Sequence, residues 1–224
     1  MTKNRRVRRP SKPPKGPLGK RFQRALVYAA RLHARQFRKG TTRPYVAHLL
    51  GVASIVLSNG GNEDDAIAAL LHDAVEDQGG KPVLRQIQKM FGTRVAEIVE
   101  SCTDADTIPK PPWRARKEKY IAHLRDANGS VRLVSAADKL YNAQETLADA
   151  RILGDEVWKR FHASREETLW YYREVLKILK NKGPLPLAAE LERVVEDLAA
   201  ISNTGATKPA SPLPNAVSGS KSTL

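Results

Sequence analysis

Apolar positions along this chain recur three and four residues apart, the spacing of one face of a helix, and alternation with a period of two is absent. Residues 21–37, "RFQRALVYAARLHARQF", read as an amphipathic helix. Residues 45–61 read as a buried helix with a glycine stop. The stretch 62–80, "NEDDAIAALLHDAVEDQGG", reads as one helix with an Asn62 cap, acids in its first turn and a stop at Gly79 and Gly80. Helices are predicted again over 81–92 and 93–103. Pro109, Pro111 and Pro112 make 104–113 a loop. Helical spacing then resumes over 113–127, 130–153, 165–179 and 187–201. The fold class is therefore all-α, an irregular bundle of about nine helices.

Composition changes this picture mainly at the two ends. Residues 1–20 carry eight cations and no acid, with Pro10, Pro13, Pro14 and Pro17 among them. They read as a basic disordered arm. Residues 203–224 are small, polar and punctuated by proline, and read as a disordered tail. One domain is expected over 21–202, since 224 residues of which 41% are apolar suffice for one sizeable core. Setting aside the arm's eight cations and the tail's two lysines, the formal charge of +14 falls to +4 for residues 21–202. The body is mildly basic, and most of the excess sits on the arm.

The single cysteine, Cys102, rules out a disulfide within the chain and any CxxC metal motif. A reducing cytoplasm suits it. No apolar run approaches the roughly 18 residues a membrane span needs, and no hydrophobic segment follows the N-terminal charges as in a secretory signal. The arm is rich in arginine and free of acids, as transit peptides are. Its prolines oppose the amphipathic helix such peptides form.

The chemistry concentrates in "AALLHDAVEDQGG", residues 68–80. Residues four apart lie on nearly the same helix face, which places His72 near Glu76 and Asp73 near Asp77. If this is one helix, Asp73, Glu76 and Asp77 occupy its last turns. Each carboxylate is unfavourable there by roughly 0.3–1 kcal/mol because the helix dipole is negative at that end. His72 follows directly on Ala68–Leu71 and points partly inward. A bound cation would neutralise the carboxylates and satisfy the imidazole. The bland alternative is a solvated helix end with ordinary surface charges.

Two other residues bear the same marks. His48 lies among apolar residues in "PYVAHLLGV", where it also reads as a core histidine. Asp138 lies within "VRLVSAADKLYN", where it also reads as the ion-pair partner of Lys139 or of an arginine. Together His48, His72, Asp73 and Asp138 form a set of two imidazoles and two carboxylates. Such a set suits a borderline divalent metal such as Mn, Fe, Co or Zn, with room for water.

The pattern H…HD…D on a helical bundle resembles the HD superfamily of metal-dependent phosphohydrolases. The finer resemblance is to the hydrolase domain of the Rel/Spo alarmone enzymes, especially the stand-alone small alarmone hydrolases. It runs from about Arg21 to Leu179, through "FRKGTTRPYVAHLLGVA", "AALLHDAVED", "TDADTIPK" and "VRLVSAADKLYNAQETL". It implies a bundle of the HD-domain type, with His48, His72, Asp73 and Asp138 holding one Mn²⁺ per chain. It implies that Glu76 and Asp77 position and deprotonate the attacking water. Arg38 and Lys39 match the basic pair lining the nucleotide pocket, and Asn142 matches a ribose-side contact. The implied reaction removes the 3′-pyrophosphate from guanosine alarmones. Lys139, with Arg116 and Lys117, would add to a basic rim that steers a polyanionic nucleotide.

Two departures from the family stand out. Leu49 follows the first histidine where proline is usual, and "AQET" follows Asn142 where the larger enzymes carry an arginine and a threonine that touch the nucleotide. Base preference is therefore open between guanine and adenine. Two other readings compete. One is an HD-type nucleotidase or phosphodiesterase acting on other nucleotides, with the same metal ligands. The other is a non-catalytic nucleic-acid binder using the basic arm, which lacks interleaved aromatics and supports only non-specific phosphate contact.

Overall fold

The structure is a computed structural model and describes residues 18–105 and 109–201. The expected arm up to residue 17 and the expected tail 203–224 lie outside the described residues. The described chain is all-helical: α1 (Lys20–Leu32), α2 (Val46–Ser58), α3 (Glu63–Leu71), α4 (Ala74–Gln78), α5 (Gly80–Phe91), α6 (Thr93–Cys102), α7 (Trp113–Asp126), α8 (Gly129–Leu153), α9 (Arg165–Lys182) and α10 (Leu185–Ala200). A 3₁₀ segment, Gly154–Arg160, follows α8. Among the described residues no strand forms, and one isolated bridge pairs Phe37 with Pro44.

The core is organised around α3. Its residues Ala66 to Leu71 are all fully buried, and it packs against α1, α2, α6 and α8. A helix apolar on every side is stable only when enclosed this way. Its start is fixed by a capping box. The Asn62 side chain accepts from the Asp64 and Asp65 N–H groups, while the Asp65 carboxylate accepts from the Asn62 N–H. The long helix α8 runs past α2, α3 and α6 on one side and packs on α9 and α10 on the other. At Gly51 the approach of α2 to α8 is very close, because a Cβ there would lie 2.0 Å from the Tyr141 ring.

Two predicted elements differ from the observed ones. The stretch 62–80 is two helices, not one: α3 ends at Leu71, His72 caps it, and Asp73 opens α4. Glu76 and Asp77 therefore lie in the first turn of α4, not in the last turns of a long helix. The dipole argument against them fails for that reason. The first predicted helix also ends early, at Leu32 and not at residue 37. Beyond it the chain folds back, with the Arg38 N–H donating to the Arg43 carbonyl at 2.9 Å and the Tyr45 N–H to the Gln36 carbonyl at 2.9 Å. Phe37, apolar and in phase with the helix, is 56% exposed. Its place in the period had no core behind it. Arg43 pins this loop to α8 by pairing with Glu145 and Asp149, and Arg160 pairs with Asp149 as well.

Candidate metal centre and the cavity beside it

Three elements converge at one end of the bundle. Helix α2 supplies His48, the α3–α4 junction supplies His72 and Asp73, and α8 supplies Asp138. His48 Nε2 and His72 Nε2 lie 3.2 Å apart. Asp73 Oδ2 is 3.3 Å from the first and 3.1 Å from the second. Asp138 Oδ1 is 3.3 Å and 3.4 Å from the same two atoms. Donor atoms held about 2.0–2.2 Å from a single ion lie about 3–3.5 Å from one another, and each of these five spacings falls in that range. His48, His72 and Asp138 are buried, with donor atoms all within 4.8 Å of one another, and half-buried Asp73 joins this trio through the two imidazoles.

The donors are preorganised. His72 Nδ1 donates to the Ala69 carbonyl at 2.8 Å, which leaves Nε2 to face the cluster. Asp73 makes no capping hydrogen bond to α4. Its carboxylate turns instead to the imidazoles and accepts from the Tyr45 hydroxyl at 2.7 Å. Asn142, one turn beyond Asp138, donates to Asp138 Oδ1 at 2.6 Å, and Lys139 pairs with Oδ2. The break between α3 and α4 thus has a physical cause: these ties direct His72 and Asp73 to one point, which a continuous helix would set on neighbouring sides.

The electrostatics follow from crowding. Burial alone would depress the His72 pKa, but Asp73 and Asp138 hold it well above the ordinary value. Burial alone would raise the two carboxylates. For Asp73 the His72 and His48 imidazoles reverse that, and for Asp138 Lys139 leads the reversal, so both lie well below the usual range. Burial and the neighbouring Asp73 push the Tyr45 phenol far up, so it stays a donor. Two imidazoles and two carboxylates sharing a point are the donor set of a borderline divalent cation, and these residues could hold one.

Beside the quartet lies a cavity of about 190 Å³. Glu76, Asp77, Lys139 and Asn142 line it, so these four of the sequence-predicted residues meet the quartet. Glu76 is held on both oxygens: Lys110 Nζ donates to Oε1 at 2.7 Å, and the Asp104 N–H donates to Oε2 at 3.3 Å. Asp77 Oδ2 accepts from Gln36 Nε2 at 2.8 Å. Arg38 lies over the Tyr45 ring and donates to Asn142 Oδ1 at 2.6 Å, joining the loop to α8. Lys39 is exposed and is not among the cavity's lining residues. Arg116 and Lys117 both pair with Asp104, a buried carboxylate. Burial depresses the Lys117 pKa, and Asp104 opposes the shift only in part.

Sequence reasoning missed Tyr45, Asp104 and Gln36. Tyr45 carried a signal, because it precedes His48 by one helical turn. Asp104 lies in the "TDADTIPK" motif but in a stretch read only as a loop, and Gln36 lies on the predicted 21–37 helix, where it reads as ordinary surface.

Comparison with known proteins identifies the family. The HD domain family matches residues 25–168. The Xenopus tropicalis protein named guanosine-3′,5′-bis(diphosphate) 3′-pyrophosphohydrolase MESH1 is 36% identical over 176 residues, covering 77% of this chain and 92% of that protein. An Aquifex aeolicus protein of the same enzyme name is 33% identical over 123 residues, 55% of this chain and 17% of that much longer protein. A solved structure described as a metazoan SpoT ortholog that hydrolyses ppGpp superposes with a TM-score of 0.64 at 26% identity, covering 85% of this chain and 97% of that one. A Listeria monocytogenes structure superposes with a TM-score of 0.60 at 31% identity, covering 66% of this chain and 96% of that one. With its two histidines and two aspartates gathered from α2, the α3–α4 junction and α8, this chain belongs to the HD domain family.

Proposed function

We propose that this chain is a metal-dependent hydrolase that removes the 3′-pyrophosphate of guanosine alarmones such as ppGpp, giving GDP or GTP and pyrophosphate. The observation that carries the reading is the quartet of donor atoms opening onto a cavity lined by Glu76 and Asp77. The relatives' names supply the substrate class. His48, His72, Asp73 and Asp138 would hold one ion, Mn²⁺ in this proposal. When bound it supplies Lewis-acid chemistry, making water a better nucleophile at neutral pH and polarising the phosphoryl oxygen.

The chain's own groups do the rest. Glu76 and Asp77 stand within a turn of the ligands, so one carboxylate accepts the water's proton as oxygen attacks phosphorus. The bond from that phosphorus to the ribose 3′-oxygen breaks, the 3′-oxygen takes up a proton to become a hydroxyl, and pyrophosphate leaves. Arg38 and Asn142, already bonded to each other, form the ribose-side contact, with Lys39 outside the cavity and Lys139 within it as phosphate-facing cations. Among the described residues no helix is long and apolar enough to cross a membrane. A cytoplasmic setting is part of the proposal, supported by the one unpaired thiol, Cys102.

The test is direct. Purified protein with Mn²⁺ is offered ppGpp, pppGpp and ppApp, and products are resolved by anion exchange. Metal-dependent release of pyrophosphate is expected. Release of single phosphates, or turnover of other nucleotides only, would move the chain to the nucleotidase reading.

A further inference from the structure

A hydrogen-bonded arch joins Asp77 to Asp73 through Gln36, His33 and Tyr45, which the proposed reaction does not use. It starts at Asp77, whose Oδ2 accepts from Gln36 Nε2 at 2.8 Å. The other end of the same amide, Gln36 Oε1, accepts from His33 Nδ1 at 2.7 Å and from Gln78 Nε2. An amide oxygen only accepts, so His33 carries a proton on Nδ1. The His33 ring lies flat against Tyr45, with centroids 5.2 Å apart and planes 11° from parallel. Tyr45 closes the arch by donating to Asp73.

The Asp77 carboxylate, which only accepts, sets the polarity of the Gln36 amide, and His33 and Gln78 complement it. Turned round, it would set its carbonyl against the Asp77 carboxylate and its NH₂ against two donors. The arrangement costs stability elsewhere. His33 is 2% exposed, and its Nε2 meets no partner. Burial keeps the ring's pKa below the ordinary value, so a neutral imidazole is enclosed with half its polar capacity unused. Local costs of this kind are retained where a site needs them. Asp77 itself is exposed, and Gln36 supplies its one side-chain hydrogen bond among the described residues.

We propose that Gln36 is a positioning residue: its amide, held in one sense by His33 and Gln78, fixes one oxygen of Asp77 and leaves the other directed to the attacking water. The inference rests on the assignment of Asp77 to that water. An unheld exposed carboxylate samples several rotamers, and each loss of orientation is a loss of effective concentration at the reacting atoms.

The experiment uses the full chain with Mn²⁺ and ppGpp. Gln36→Met keeps the length of the side chain and removes its donor. It should lower kcat by about 10- to 100-fold, leave KM within about twofold and leave one Mn²⁺ bound. Gln78→Met leaves His33 to hold the amide and should change kcat by less than about threefold. Gln78→Glu sets a carboxylate against Gln36 Oε1 that competes with Asp77 for the Gln36 NH₂, so its kcat should fall as far as that of Gln36→Met. A role in packing alone would make the two Gln78 variants alike. Equal effects from that pair, or an unchanged kcat in a folded Gln36→Met protein, overturns the proposal. If Gln36→Met fails to fold, the Gln78 pair decides alone. A wild-type protein that releases no pyrophosphate overturns the functional reading itself, and this inference with it.

Discussion

His72 Nδ1 is committed to the Ala69 carbonyl, so a proton and a metal ion compete for Nε2. Neither His72→Ala nor Asp73→Ala should bind Mn²⁺ stoichiometrically, and in both the melting temperature should no longer rise with added metal. Unchanged metal content by calorimetry would remove these two from the site. Glu76→Gln should keep its metal and lose roughly 10²-fold or more in turnover, because the amide occupies the same space without accepting a proton. Loss of the metal together with activity would make Glu76 a ligand. His33 gives a separate pH signature. Its folded pKa is depressed by burial, although Gln36 and the nearby carboxylates oppose the shift. Its contribution to stability is therefore fully present above the unfolded value of about 6.5 and is lost as pH falls through the folded value. His33→Gln should flatten the decline of melting temperature between roughly pH 7 and 5 relative to wild type; an identical slope would show that His33 is not buried neutral. At this scale the sequence exposed the quartet, because charged and imidazole groups among alanines and leucines demand a partner. It concealed Gln36, since a glutamine on an amphipathic segment reads as ordinary surface.

Among the elements, α2 and α8 set the distance between His48 and Asp138. Gly51 lets the two helices close, with the Tyr141 ring filling the space a Cβ would need. The same ring sits edge-on to His48, with centroids 5.3 Å apart. Replacing glycine by alanine inside a helix ordinarily stabilises by about 0.8–1 kcal/mol. Here a methyl group 2.0 Å from ring carbon must push Tyr141 aside, and overpacking of that kind costs about 1–3 kcal/mol. The clash should win, so Gly51→Ala should melt lower than wild type and bind Mn²⁺ more weakly. A higher melting temperature would show that Tyr141 swings away freely. The helices themselves were legible from apolar spacing and, at Asn62, from a cap. The α3–α4 break was not, because "LLHDAV" contains neither glycine nor proline. Tertiary ties to Tyr45, His48 and Asp138 end α3 there, and local propensity has no record of them. The loop after Leu32 was hidden for the same reason, since its anchors, Glu145 and Asp149, lie a hundred residues away.

For the molecule as a whole, the net charge of +14 says little about the cavity, where cations are already paired with carboxylates. Asp104 pairs with both Arg116 and Lys117 and offsets one of their two charges, and Lys139 pairs with Asp138. The cavity is small as well. At about 190 Å³ it falls below the roughly 300–1,000 Å³ of pockets that enclose a whole drug-sized ligand. A nucleoside with a pyrophosphate at each end cannot disappear into it. A slot of that size suits a phosphate chain better than a purine, which would then stay largely in water. Selectivity is a difference between two sets of contacts, and a ring wetted on most of its surface contributes little to that difference. Guanine and adenine substrates should then be processed with kcat/KM values within about tenfold of one another, a gap of about 1.4 kcal/mol. A ratio above about a thousand would mean that the base is gripped by surface beyond the slot. Within that tenfold the enzyme is a reader of endings: it recognises how a nucleotide is terminated and is largely indifferent to which letter it spells.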